Sequence, residues 1–301
     1  MCSHRNPNRS PGVDELQRLG KNAGGYRGET VDISGVLAEC ATAAQSCGWK
    51  VEELPAGSRT SLLALTRVRT PDLLPASGSG AGASPAAGRA SLRLPRPRVY
   101  LSTGIHGDEP AGPLAIRQLL QSDQWPAPLD LWLCPCLNPE GFLLNRRENA
   151  EGLDLNRQYR EPQAAETVAH VAWLQRQPPF DLCLCLHEDW ESRGFYVYEL
   201  NPEHRPSLAE PMVEAVSKVC PIDRSETIEG RPAKNGIIRP DIDLNSRPLW
   251  PEAFYLLTHQ TRMSYTLEAP SDFPLPARVA ALVSAVNRAL RAIASQTPSG
   301  P

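Results

Sequence analysis

A few residues in this sequence have the types and spacing to do chemistry. His106 and Glu109 stand three residues apart in "VYLSTGIHGDEPAG", directly after an apolar run, and of the six histidines only His106 has a glutamate at that distance. Two side chains so spaced can point the same way from one turn. His187 ends a second apolar run, "FDLCLCLHE", where a polar group needs a reason to be present. Catalytic zinc usually takes three protein ligands and leaves a fourth position open for water, and two histidines with one glutamate are a recurrent set. A lone His-x-x-Glu is weak evidence, because a surface turn explains it equally well. His187 is what strengthens it.

Hydrolysis at such a centre needs two further functions, a base for the attacking water and positive charge for the oxyanion that develops. Glu268, which ends "SYTL", can be that base or an ordinary strand-end acid. Arg147 can polarise a carbonyl, or it can be a solvated loop arginine beside Arg146. Asn156 and Arg157 together offer a fork able to grip a carboxylate. The same stretch, "GLDLNRQY", can instead be a turn that starts a helix, capped by Asp154 or Asn156.

The elements that must position these residues alternate along the chain. Helical spacing of Ile33, Val36, Leu37 and Cys40 predicts a helix over about 32–47. "SLLALTRV", "RVYLSTGI", "LDLWLCPCL", "FDLCLCLHE", "GFYVYEL" and "MSYTLEAP" read as strands. Helices follow from "QAAETVAHVAWLQRQ", from "PSLAEPMVEAVSKVC", from the "PAG" that leads into "PLAIRQLL", and from a stripe ending in Leu290 and Ile293 near 275–294. Strands that are apolar almost throughout, with helices between them, predict an α/β fold. Its sheet should be mixed and largely parallel, covered by helices on both faces, in a single domain. Ligands gather outside the carboxyl ends of such strands, which is where these polar residues fall.

Residues 1–30 are polar and expected to be loosely ordered, 31–295 to form the catalytic domain, and 296–301 a tail. Within the domain, about 71–96 is dense in Pro, Gly, Ser and Ala and reads as a flexible insertion between two strands. The net charge of -3, without long runs of either sign, argues against nucleic acid or a membrane surface as the main partner. No apolar stretch is long enough to span a bilayer, and the first residues lack the apolar region of a signal peptide, so a cytoplasmic location is expected. The paired cysteines, Cys134 with Cys136 and Cys183 with Cys185, are expected as buried thiols, each pair on one face of its strand. Phe195, Tyr196 and Tyr198 can line a pocket, but packing of a strand is the simpler expectation. Nothing in the sequence sets an oligomeric state.

Taken in order, "HGDE", "NPEG", "RENAEGLDLNR", "LCLHED" and "TLEAP" resemble the zinc carboxypeptidase family. The resemblance covers roughly residues 95–292, and its strength lies in five blocks in the right order. It implies that His106, Glu109 and His187 bind one zinc ion (Zn2+) and that Glu268 is the general base, later passing its proton to the leaving amine. Arg147 would stabilise the oxyanion, while Asn156 and Arg157 would hold the substrate carboxylate. Within the family, "GIHGDE" and the compact "RENAEGLDLNR" look closest to the murein peptide amidase-like branch, whose members trim cell-wall peptides. The expected activity is therefore a metallocarboxypeptidase or peptide amidase acting on a small peptide.

One departure concerns a tyrosine that secreted members carry some way before the catalytic glutamate. Here "NSRPLWPEAFYLL" offers Trp250 and Tyr255, neither clearly in place. The short interval between His106 and His187 is also similar to the succinylglutamate desuccinylase and aspartoacylase group, so an N-acyl amino acid deacylase is the alternative. A catalytically silent zinc-binding protein of the same fold is a third reading.

Overall fold

The apolar runs read from the sequence build the middle of one ten-stranded sheet in this computed structural model, which describes residues 12–20, 29–57, 60–68, 96–241, 243 and 247–296. The expected insertion, apart from Arg96, lies outside the described residues, as do the tail beyond Gln296 and most of the segment 1–30. Within that first segment, Arg18 pairs with Asp272 at 2.9 Å and the Leu19 amide donates to the Asp272 carbonyl.

Four strands form the heart of the sheet: β3 (Arg98–Thr103), β4 (Asp130–Cys134), β5 (Leu182–Asp189) and β10 (Ser264–Pro270). They lie in the order β4-β3-β5-β10 and are parallel throughout. All eight residues of β5 are buried, which accounts for its unbroken apolar reading up to His187. Antiparallel strands flank this block. On one side are β1 (Lys50–Ala56) and β2 (Thr60–Arg67), and on the other β6 (Tyr196–Leu200) pairs with β10. Three short strands, β7 (Thr227–Ile228), β8 (Arg231–Lys234) and β9 (Ile237–Ile238), extend the sheet beyond β6. The fold is thus a mixed α/β sheet with a parallel centre, in a single domain.

Helices cover both faces. On one lie α1 (Ile33–Ser46), α2 (Ala111–Ser122), α5 (Ala209–Val216) and α7 (Leu275–Ser295), packed over the Leu, Val and Ile side chains of the central strands. Leu282, Val286, Leu290 and Ile293 bury the stripe of α7, each such side chain contributing about 1.5–3 kcal/mol. The other face carries α4 (Ala165–Leu174) and α6 (Glu252–His259), over Tyr100, Trp132, Cys183 and Cys185. The short α3 (Pro139–Leu144) follows β4. Among the described residues, no helix is long and apolar enough to cross a membrane.

Several elements go beyond the sequence reading. β1 is an edge strand whose "KVEELPA" puts two acids and a proline on a half-exposed ribbon, so it lacks an apolar signature. The helix α6 hides in "PEAFYLLTH", too short to show a helical period. The four paired cysteines are free and buried, yet Cys134 and Cys136 do not share a face. Strand β4 ends at Cys134, and Cys136 turns into the cluster on the opposite side of the sheet.

Candidate metal centre and active site

The loop that carries His106 begins where β3 ends. Gly104 takes φ +63, a left-handed turn that favours glycine, and swings the chain out of the sheet. At Gly107 a Cβ would fall 2.0 Å from the carbonyl carbon of Gly141, so only glycine lets this loop lie against the turn of α3. Asn138, the first residue of "NPEG", makes that contact specific. Its side chain caps α3 by accepting from the Gly141 amide and donates to the carbonyls of Ile105 and Arg147. Two of the sequence blocks are therefore one structural unit, and it fixes His106 beside Arg147.

His106, Glu109 and His187 converge from separate elements. Their exposures are 2%, 6% and 4%. His106 Nδ1 lies 2.6 Å from Glu109 Oε1, and His187 Nδ1 lies 3.1 Å from Glu109 Oε2. One potential ligand atom from each residue lies within 4.8 Å of the others. Burial discourages charge on His106, but the carboxylates of Glu109 and then Asp154 outweigh it and raise the pKa. At His187 burial wins and the pKa falls. Burial would raise the Glu109 pKa as well, yet the two imidazoles hold it below the usual carboxylate range. Among the described residues the buried His106 Nε2 has no well-aligned hydrogen-bonding partner, and Asp154 Oδ1 stands 3.3 Å away. Two imidazoles and a carboxylate, gathered in a buried pocket wall, suit a borderline metal ion such as zinc.

Glu268 on β10 is the register partner of His187 on β5, and both project on the face covered by α6. Burial pushes the Glu268 pKa up, and the carboxylates of Glu109, Glu229 and Asp189 add to the shift, against Arg147. Arg147 Nε bonds Asp154 Oδ2 at 3.0 Å, and its Nη1 stands 4.0 Å from Glu109 Oε1. All of these groups except Asp154 line one cavity of about 520 Å³.

Asn156 and Arg157 also line it, but their hydrogen bonds differ. Asn156 Oδ1 accepts from the backbone N–H of Glu252 at 2.8 Å and so ties the turn to the start of α6. Arg157 Nη1 donates to the Asn156 carbonyl. The turn is a short 3-10 helix, Leu155–Arg157, capped by Asp154.

Of the aromatic candidates, neither Trp250 nor Tyr255 lines the cavity; Tyr255 packs at a tilt against Tyr159 and His259. Phe195 and Tyr196 are buried, whereas Tyr198 lines the cavity and donates its hydroxyl to Glu229. Two supporting residues escaped the sequence reading. Asp154, taken there only as a cap, also holds Arg147. Glu188, next to His187, is a fully buried acid that accepts from the Ala111 amide at the start of α2 and from Ser271, and it pairs with the buried Arg278 of α7. A polar residue straight after His187 was the available signal.

Residues 95–220 match the family model of the succinylglutamate desuccinylase/aspartoacylase catalytic domain, a span that includes every residue discussed above from His106 to His187 but not Glu268. No curated protein matches the sequence. A solved structure from Shewanella denitrificans OS217, described as a metallopeptidase, superposes with a TM-score of 0.70 at 20% identity, covering 91% of this chain and 100% of that one. One from Shewanella amazonensis SB2B, also described as a metallopeptidase, gives 0.69 at 22% identity over 88% and 94%. A metallo-carboxypeptidase from Pseudomonas aeruginosa, in complex with (2-guanidinoethylmercapto)succinic acid, gives 0.57 at 20% identity over 85% and 68%.

The fold is therefore carboxypeptidase-like. Within that fold, the segment that matches the desuccinylase/aspartoacylase model holds the buried His-Glu-His group.

Proposed function

We propose that this protein is a zinc-dependent hydrolase that cleaves a peptide or amide bond next to a carboxylate. The observation that carries the reading is the convergence of His106 and His187 on Glu109, with Glu268 in register with His187 and Arg147 beside His106. His106, Glu109 and His187 would hold zinc, which when bound acidifies water and polarises a carbonyl.

The remaining roles belong to the chain. Glu268 takes a proton from the attacking water and delivers it to the leaving nitrogen, a task helped by an environment that raises its proton affinity. Arg147 places positive charge where the oxyanion develops, and Asp154 keeps the guanidinium turned toward that place. Arg157, with the amide of Asn156, receives the substrate carboxylate at the cavity rim. Leu200, Ala253 and Phe254 give the cavity an apolar wall for the rest of the substrate.

An N-acyl amino acid deacylase is the second reading, favoured by the family model matched at residues 95–220. Zinc-loaded protein should be offered muropeptide fragments, C-terminal dipeptides and N-acyl amino acids side by side. Turnover of either peptide class supports the first reading, and turnover confined to N-acyl amino acids supports the second. If none is cleaved and Glu268→Gln changes nothing while zinc stays bound, the chain is a silent zinc-binding protein.

A further inference from the structure

Behind the cavity floor, five polar side chains are buried together between the sheet and the helices α4 and α6. Tyr100, Ser102, Tyr159, His170 and Glu252 are each at most 2% exposed, and none of the five lines the cavity. Ser102 Oγ donates to Glu252 Oε2 at 2.9 Å, and Tyr100 Oη donates to Glu252 Oε1 at 3.1 Å. Tyr100 Oη also lies 2.7 Å from His170 Nε2, and Tyr159 Oη lies 2.7 Å from His170 Nδ1.

Proton counting gives this chain a direction. Burial holds His170 neutral, its pKa pushed down to about 3, so the ring offers one N–H and one lone pair. Above pH 7, where Glu252 is ionised, the Tyr100 proton is committed to its carboxylate, so His170 Nε2 must be the donor to Tyr100. Nδ1 is then the acceptor for Tyr159. The chain runs Tyr159 to His170 to Tyr100 to Glu252 and terminates on the carboxylate, with every member satisfied.

Both ends of the chain meet the site. The Glu252 amide donates to Asn156 Oδ1, and the Tyr159 amide donates to the Trp250 carbonyl at 3.2 Å. The segment 154–159 therefore touches the first residue of α6 through the Asn156 side chain and the residue Trp250, just before α6, through the Tyr159 backbone, with the side-chain chain closing the circuit between them. That segment carries Asn156 and Arg157 on one wall, while α6 supplies Ala253 and Phe254 on another. Ser102 stands in register with Cys185, two residues before His187.

We propose that Glu252 is a positioning residue: by terminating this one-way chain it locks the segment 154–159 to α6 and sets where Asn156 and Arg157 meet a carboxylate. The inference rests on the function proposed above. A small misplacement of such groups is costly, because binding and catalysis both depend on their geometry.

The test uses the full-length, zinc-loaded protein at pH 8.5, with succinate as a carboxylate probe. Nitrogen NMR should find the His170 proton on Nε2. Glu252→Gln should weaken succinate binding about tenfold with zinc content unchanged, and should speed amide exchange across 154–159. Tyr100→Phe, which cuts the chain but keeps the aromatic packing, should act in the same direction and covers the case in which Glu252→Gln fails to fold. A His170 proton on Nδ1 overturns the proposal. So does a lower melting temperature in a folded variant with succinate affinity and exchange at wild-type values, since that marks a purely structural role. Failure of wild-type protein to bind succinate counts against the proposed function; the tautomer and the exchange rates then decide the positioning role by themselves.

Discussion

His187 on β5 and Glu268 on β10 are directly paired residues of neighbouring parallel strands. The sheet itself therefore sets the spacing between a proposed metal ligand and the proposed base, with no loop involved. Glu268→Gln keeps the shape of the side chain and removes its proton-accepting charge. Turnover should fall about 10²–10⁴-fold, with metal content unchanged by elemental analysis. Wild-type turnover in a metal-loaded Gln variant would remove Glu268 from the mechanism.

Arg147 is aimed by Asp154, and the two should be separable by kinetics. Arg147→Met removes the charge proposed to face the oxyanion and should lower kcat about 10²–10³-fold. Asp154→Asn leaves the guanidinium in place but less restrained, so a loss of about tenfold is expected. Equal losses in the two variants would mean that Asp154 acts through His106 instead, whose Nε2 it approaches at 3.3 Å.

Much of this arrangement was readable in the sequence, for a physical reason. An apolar run that ends abruptly in a histidine or glutamate marks both a buried strand and a polar group held at its end, and His106, His187 and Glu268, which the fold brings to one cavity, all follow that rule. The supporting residues do not. Glu188 and Arg278 look like two ordinary charges, and only folding brings them together across ninety residues of chain. Glu252 reads as a surface acid in "WPEAFYLL", yet it is 1% exposed because α6 lays its first turn against the sheet. Edge strands such as β1 and the small β7–β9 extension are half-exposed and so lack the apolar signature that identified the centre.

The Glu188–Arg278 pair should be costly to break and cheap to replace. Arg278→Met leaves a buried carboxylate without its cation, and a loss of about 3–5 kcal/mol in denaturant unfolding is expected. Adding Glu188→Gln should recover most of that loss. Failure of the double variant to recover would show that Arg278 is needed for its packing or for its second partner, Glu29.

Metal removal offers a check that does not require a substrate. A ligand that binds only the folded state stabilises it by about 4 kcal/mol at a thousand times its dissociation constant. Chelator should therefore lower the melting temperature of the wild type and leave His187→Ala unmoved. A wild-type melting temperature indifferent to both chelator and added zinc would count against His106, Glu109 and His187 as ligands.

Glu252 should leave a mark on stability as a function of pH. Burial raises its pKa from an ordinary 4.5 to about 7, against the hydroxyls of Ser102 and Tyr100 and the thiol of Cys185. The folded state therefore holds this proton over a range in which the unfolded chain has released it. Stability from this group is greatest below the unfolded pKa and is lost as pH rises toward 7, by about 3 kcal/mol in all. His170 acts in the opposite sense, because its lowered pKa makes stability fall as pH drops below the ordinary histidine value. The two overlap, so the informative quantity is the difference between wild type and Glu252→Gln. That difference should shift in favour of the Gln variant between about pH 4.5 and 7 and be constant above. Parallel pH profiles for the two proteins would mean that Glu252 ionises in the fold as it does in water.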